Sequence, residues 1–148
     1  MRILVINGPN LNLLGKRDKT QYGSLTLEMI EQKLSLEFLD DTFSFHQSNS
    51  ESEICSLIQN STSFDGILLN PGGFTHTSVS IRDAIETCSI PVIEIHLSNI
   101  SSREEFRKKH LTSTKTTGYI SGFKENSYLA GAYLIKKLFQ VKHIEGEK

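Results

Sequence analysis

The sequence predicts an α/β fold: one five-stranded, all-parallel sheet with helices on both faces. Three observations carry that expectation. Short apolar runs alternate along the chain with segments whose apolar residues recur at helical spacing. The first run, Arg2–Asn7, is apolar through Ile3-Leu4-Val5-Ile6 rather than at every second residue, as a strand buried on both faces is. Each of five such runs is followed by a helical segment, which is what parallel pairing needs. With 148 residues, the chain suits one domain of roughly 150, residues 1–148. Folding should bury about 68–70% of its unfolded surface, enough for a core without staples.

The elements follow in order. Asn7-Gly8-Pro9 closes the first strand as a turn. Leu27, Ile30, Leu34 and Phe38 form the buried stripe of a first helix. Phe43 and Phe45 alternate with polar neighbours, a half-buried strand. Ser50-Glu51-Ser52-Glu53 is a capping-box pattern, with Ile54, Leu57 and Ile58 as the buried face behind it. Gly66–Asn70 is a third strand, and a helix from about Ser78 to Cys88 buries Val79, Ile81, Ala84 and Ile85. Pro91 opens a strand over Val92–His96, and a short charged helix is expected near Arg103–Lys109. A last strand near Thr117–Ser121 leads to a helix from about Asn126 to Gln140, and His143–Lys148 reads as a loose polar tail. Right-handed crossovers leave few topologies, and a flavodoxin-like strand order is expected.

Composition excludes several classes of function. Sixteen basic against seventeen acidic residues give a net charge of −1, without the basic surplus that nucleic-acid binding uses. No apolar run approaches the ~20 residues of a membrane span, and the opening run is too short for a signal peptide. Cys55 and Cys88 form no Cys-x-x-Cys spacing, so two buried thiols in a reducing cytoplasm are expected, with no metal site.

The polar residues gather where parallel strands end. Asn7-Gly8-Pro9-Asn10, Asn70-Pro71-Gly72-Gly73-Phe74-Thr75-His76 and His96-Leu97-Ser98-Asn99 each follow a strand, and in an open parallel sheet those ends share one edge. The segment from Gly8 to Ser24 is far longer than the usual βα connection of about two to six residues, and it carries Lys16, Arg17, Asp18 and Tyr22. It suits a lid over an anionic ligand, or a solvated loop. Helix starts near Thr77-Ser78 and Ser101-Ser102 offer backbone N–H groups to an anion. Arg103 and Arg107, four residues apart, suit either an anion clamp or pairing with Glu104. No phosphate loop is present: six residues rather than four separate Gly8 from Gly15-Lys16, and Arg17 stands where Ser or Thr is needed.

Three stretches together resemble type II 3-dehydroquinate dehydratases. They are Asn7-Gly8-Pro9-Asn10-Leu11-Asn12-Leu13-Leu14-Gly15 with Arg17 and Tyr22-Gly23, then Asn70 to Ser78, then Glu94-Ile95-His96-Leu97-Ser98-Asn99 with Arg103 to Arg107. The resemblance covers nearly the whole chain and implies a flavodoxin-like subunit. It implies dehydration of 3-dehydroquinate to 3-dehydroshikimate without metal or cofactor, in a dodecamer built as a tetramer of trimers. The chain departs from the family pattern at Ser101-Ser102 and over Phe123–Tyr128.

The resemblance also distributes roles. Tyr22 matches a tyrosinate base. A phenol with a pKa near ~10 needs a cation beside it to ionise, and Arg17 matches that cation. Asn10 matches the residue holding a water at the enolate oxygen, and His96 the general acid for the leaving hydroxyl. Asn70, His76 and Arg107 match substrate-binding side chains, and Leu97 and Ser98 the donors to the carboxylate. Asp83 matches a residue reaching a neighbouring subunit's site, and Arg103 belongs with the surroundings of the lid. Glu94, two residues before His96 on one strand face, is expected to orient the imidazole and keep it protonated. His46, His110 and His143 match nothing catalytic. Another cofactor-free lyase or isomerase, or a non-catalytic flavodoxin-like binding module, are the rival readings.

Overall fold

The pleat of β1 (Arg2–Asn7) sends Ile3 and Val5 to one face and Leu4 and Ile6 to the other, and all four are buried. In this computed structural model, which describes residues 1–16 and 25–146, β1 is the second strand of a five-stranded sheet. The others are β2 (Thr42–Gln47), β3 (Gly66–Asn70), β4 (Val92–His96) and β5 (Gly118–Ser121). All pair in parallel, in the order β2-β1-β3-β4-β5. That is the flavodoxin-like order, with the switch point between β1 and β3.

Among the described residues four α-helices cover the two faces: α1 (Leu27–Glu37), α2 (Glu51–Gln59), α3 (Val79–Glu86) and α4 (Asn126–Gly146). Ile3, Val5, Leu68, Ile93 and Ile95 pack with Ile30 and Leu34 of α1 and Ala132 and Ile135 of α4. Leu4, Ile6, Ile67, Leu69 and Val92 pack with Ile54 and Ile58 of α2 and Ile81 and Ile85 of α3. Each such aliphatic side chain contributes about 1.5–3 kcal/mol on burial, so both faces are needed to hold the sheet.

Side-chain caps set the helix starts. Thr26 accepts from the Met29 N–H, Ser50 from that of Glu53, and Ser78 from that of Ile81. The capping box at Ser50 is only half formed. The Glu53 carboxylate takes the Ser48 hydroxyl at 2.5 Å, and Ser48 Oγ in turn accepts the Ser50 N–H at 2.9 Å.

Several expectations are corrected. Val79 is 56% exposed, outside the α3 core stripe, and α3 ends at Glu86. The charged segment after β4 forms no α-helix. Three 3-10 turns, Ile100–Ser102, Glu105–Lys108 and Thr112–Lys115, carry the chain to β5. Its apolar Phe106 is 62% exposed, so no buried stripe draws the segment into a longer helix. α4 runs on through Gly146, so the stretch expected to be loose from His143 is helical to that point. Cys55 and Cys88 are half-buried rather than fully buried.

Candidate active site

The C-terminal edge of the sheet opens into a cleft of about 130 Å³. Its wall after β1 includes Pro9, Asn10 and Leu11, and its wall after β3 includes Asn70, Gly72, Gly73 and His76. His96, Leu97, Ser98, Ile100, Arg103 and Arg107 complete it from the β4 side. Eight of the expected site residues therefore meet in one place: Asn10, Asn70, His76, His96, Leu97, Ser98, Arg103 and Arg107. Arg17 and Tyr22 lie outside the described residues. Asp83 does not line this cleft; it sits on α3, 58% exposed, paired with Arg82 at 2.5 Å.

The β1 loop is shaped by close backbone approach. A Cβ on Gly8 would lie 2.6 Å from the Pro71 carbonyl carbon and oxygen, and the Gly8 N–H donates to Asn70 O at 2.7 Å. Asn10 has a left-handed backbone, φ 67°, which Asn tolerates better than most residues. Its N–H donates to Asn49 Oδ1 at 3.0 Å, and Gln47 Nε2 donates to that same oxygen and to Gly8 O. Gln47 and Asn49, at the end of β2, thus brace the conformation that puts Asn10 on the cleft.

Glu94 and His96 share one face of β4. Glu94 is fully buried, a position for a carboxylate only when it is amply hydrogen-bonded. It accepts from three donors: His96 Nε2 at 2.7 Å, Thr75 Oγ1 at 2.8 Å and Thr112 Oγ1 at 2.6 Å. With Nε2 held on Glu94, Nδ1 is the ring nitrogen that can serve a ligand. Donation from Nδ1 as well as from Nε2 requires both ring nitrogens to carry hydrogen.

His76 donates Nδ1–H to the Lys109 carbonyl at 2.7 Å. Burial pushes its pKa below the usual histidine value; the Lys109 carbonyl opposes this, while Arg107, His110 and His96 add to it. A neutral His76 then offers Nε2 as an acceptor. His110, which matched nothing catalytic, lies among site residues. Its ring lies 5.6 Å from that of His76, 6.4 Å from His96 and 5.3 Å from Tyr119, with Nε2 2.7 Å from the Arg107 carbonyl.

Arg107 Nε donates to Glu104 Oε2 at 2.7 Å, and Arg103 Nε lies 3.6 Å from the same oxygen. Both arginines pair with Glu104 and also line the cleft. Glu104's own backbone N–H and then Arg107 hold its carboxyl below the ordinary range. The carbonyls of His96, Leu97 and Ser98 are all engaged, by Ser127 and Gly122, by Lys124, and by Ser121. Among the described residues, no group of three or more His, Cys, Asp or Glu could hold a metal ion. None of the described helices is long and apolar enough to cross a membrane.

The sequence did not single out Thr112, Tyr128, Gln47 or Asn49. Thr75 lies inside a quoted motif, but its role depends on Glu94, nineteen positions away. Tyr128 is fully buried, and its hydroxyl joins the Asn7 and Asn70 side chains at 2.6 and 2.9 Å.

Residues 1–136 match the model of the class II dehydroquinase family. A 3-dehydroquinate dehydratase of Prochlorococcus marinus (strain NATL1A) is 53% identical over 131 residues, 86% of this chain and 90% of that protein. One from Caldanaerobacter subterraneus subsp. tengcongensis is 48% identical over 140 residues, 93% of this chain and 95% of that protein. The crystal structure of the type II dehydroquinase from Butyrivibrio crossotus superposes with a TM-score of 0.89 at 39% identity, covering 92% of this chain and 97% of that one. The strand order, the cleft at the strand ends and these likenesses agree: the chain belongs to the class II dehydroquinase family.

Proposed function

We propose that this chain dehydrates 3-dehydroquinate to 3-dehydroshikimate by anti elimination through an enolate. The observation that carries the reading is the His96–Glu94 pair, 2.7 Å apart, on the wall of a cleft that also holds Asn10, Asn70, His76 and two arginines. In the first step a base takes the proton from the carbon beside the ketone, and the electron pair moves to the ketone oxygen. In the second the enolate collapses, and the hydroxyl one carbon further on leaves with a proton from His96 as water. Glu94, held by Thr75 and Thr112, orients the ring and balances its charge.

Tyr22 is the base in this reading, with Arg17 favouring its ionised form. Two described tyrosines near the cleft are unsuited to that work. Burial raises the pKa of Tyr119, with Glu94 adding to it and Ser121 opposing, and burial raises that of Tyr128 far more. Asn10 supports the water that stabilises the enolate oxygen; a preorganised donor of this kind is worth about 2.7–4 kcal/mol. Asn70, His76 and Arg107 bind the ring substituents, Leu97 and Ser98 the carboxylate, and Arg103 flanks it. Asp83, exposed on α3, reaches the site of a neighbouring subunit in a dodecamer, a tetramer of trimers. The enzyme works in the cytoplasm, on a step shared by the shikimate route to the aromatic amino acids and by quinate breakdown, without cofactor or nucleic acid.

The product is a conjugated enone and the substrate is not, so absorbance reports turnover directly. Protein mixed with 3-dehydroquinate should give a rising signal, and Tyr22→Phe should abolish it. Turnover that survives Tyr22→Phe would assign the proton abstraction to another group. Folded protein without turnover would favour the binding-module reading.

A further inference from the structure

Asn7 and Asn70 are register partners at the ends of β1 and β3, and both are buried. The Tyr128 hydroxyl, at the first turn of α4, lies between them with no exposed surface on its residue. Three polar groups buried in a row must pass their hydrogens in a consistent sense, because each unmatched group costs a lost hydrogen bond.

One backbone group sets that sense. The Gly72 N–H can only donate, and it lies 3.2 Å from Asn70 Oδ1. Asn70 therefore turns its Nδ2 to Tyr128, 2.9 Å away, so the phenol oxygen accepts there. The phenol proton goes to Asn7 Oδ1 at 2.6 Å. Burial keeps that proton on the oxygen, since it raises the Tyr128 pKa strongly, with the Asn70 bond opposing and Glu31 adding. Asn70 lines the cleft; with one Nδ2 hydrogen on Tyr128 and Oδ1 already accepting from Gly72, the donor it has left is its second N–H.

We propose that Tyr128, with Asn7 behind it, is a positioning residue that fixes Asn70 as a hydrogen-bond donor toward an acceptor oxygen of the ligand. α4 thereby sets the polarity of the cleft between β1 and β3, the switch point of the sheet. This rests on the dehydratase reading for the identity of the ligand, but not for the direction of the hydrogen-bond chain.

The test is a double-mutant cycle between Tyr128→Phe and Asn70→Ala in the enone assay, with thermal unfolding run on the same four proteins. Tyr128→Phe in the native background should raise KM roughly 3- to 10-fold, the size of one misdirected hydrogen bond, with kcat changed less. In the Asn70→Ala background it should add nothing further to KM. The same KM change in both backgrounds, or none in either, would overturn the positioning role. Coupling seen only in the unfolding midpoints would also overturn it, by assigning the contact to stability alone. Asn7→Ala leaves the tyrosine ring in place and guards against misfolding of Tyr128→Phe; it should raise KM by a smaller factor, and an unchanged KM contradicts the inference. A native protein that does not dehydrate 3-dehydroquinate would sink the dehydratase reading separately, and the unfolding cycle would then still report whether positions 70 and 128 are tied.

Discussion

Replacing Glu94 by Gln removes a charge while keeping the shape of a fully buried side chain. In the native protein Oε1 takes His96 Nε2–H and Thr75 Oγ1–H, and Oε2 takes Thr112 Oγ1–H. A glutamine can keep the first two bonds on its carbonyl oxygen. Its amide nitrogen then faces Thr112, which can accept from it by turning its own proton onto Thr75 Oγ1, 3.0 Å away. Every group but the second amide N–H thus has a partner, so the unfolding midpoint should fall only modestly. The imidazolium, however, loses its anionic partner. A hydrogen bond to a charged group is worth about 1.5–3 kcal/mol and a neutral one about 0.5–1.5. The difference, about 1–2 kcal/mol, is a weaker hold by the proposed acid on the proton it must bring to the leaving hydroxyl. At about 1.4 kcal/mol per decade, that lowers kcat about 5- to 30-fold and leaves KM within about two-fold. The assay is steady-state enone formation beside a melting curve. A native-like melt with kcat unchanged would refute the idea that Glu94 supports the acid, and so would a change confined to KM.

Further outcomes follow from the same contacts. Thr112→Val removes one of Glu94's three donors from a buried carboxylate, and should destabilise the protein by about 1–3 kcal/mol in denaturant unfolding, with kcat also reduced. Gly8→Ala puts a Cβ against the Pro71 peptide, so the unfolding midpoint should fall and KM should rise as the two loops separate. At Asp41 burial would raise the pKa, but hydrogen bonds from Lys136 at 2.6 Å and the N-terminal amine at 2.8 Å outweigh it and hold the carboxyl below its ordinary range. Unfolded Asp41 therefore binds its proton at a higher pH than folded Asp41, so its stabilisation is complete above the unfolded pKa and is lost as pH falls through the folded one. Asp41→Asn should lower Tm near pH 7, and the gap to the native protein should narrow as pH falls below about 4, the ordinary aspartate range.

Much of the fold is legible in the sequence because the sheet is buried on both faces. Strands such as Ile3–Ile6 and Ile67–Leu69 have no polar face to disguise them, and Ser50 and Ser78 mark helix starts by local hydrogen bonds. The chain between β4 and β5 is harder to read. Its apolar Phe106 lies exposed, and its shape follows from distant contacts such as Leu111 N–H to Thr75 O, not from local spacing. The same holds within the site. Asn10, Asn70, His76 and His96 sit at strand ends, where topology alone brings them together. Thr112 meets Glu94 across eighteen positions and Tyr128 meets Asn7 across 121, and no periodicity encodes such pairings. Val79 misled because helical spacing marks a stripe without fixing its edges.

The most direct test of the His96 assignment incubates 3-dehydroquinate in D2O with native protein and with His96→Asn. Enone absorbance reports loss of the hydroxyl, and deuterium beside the ketone reports enolate formation. Native protein should give enone. His96→Asn should give almost none while deuterium still enters the substrate, because in the proposed order the base acts before the acid. Enone formation at near-native rate by His96→Asn would contradict the central claim that the His96–Glu94 pair delivers the proton to the leaving hydroxyl.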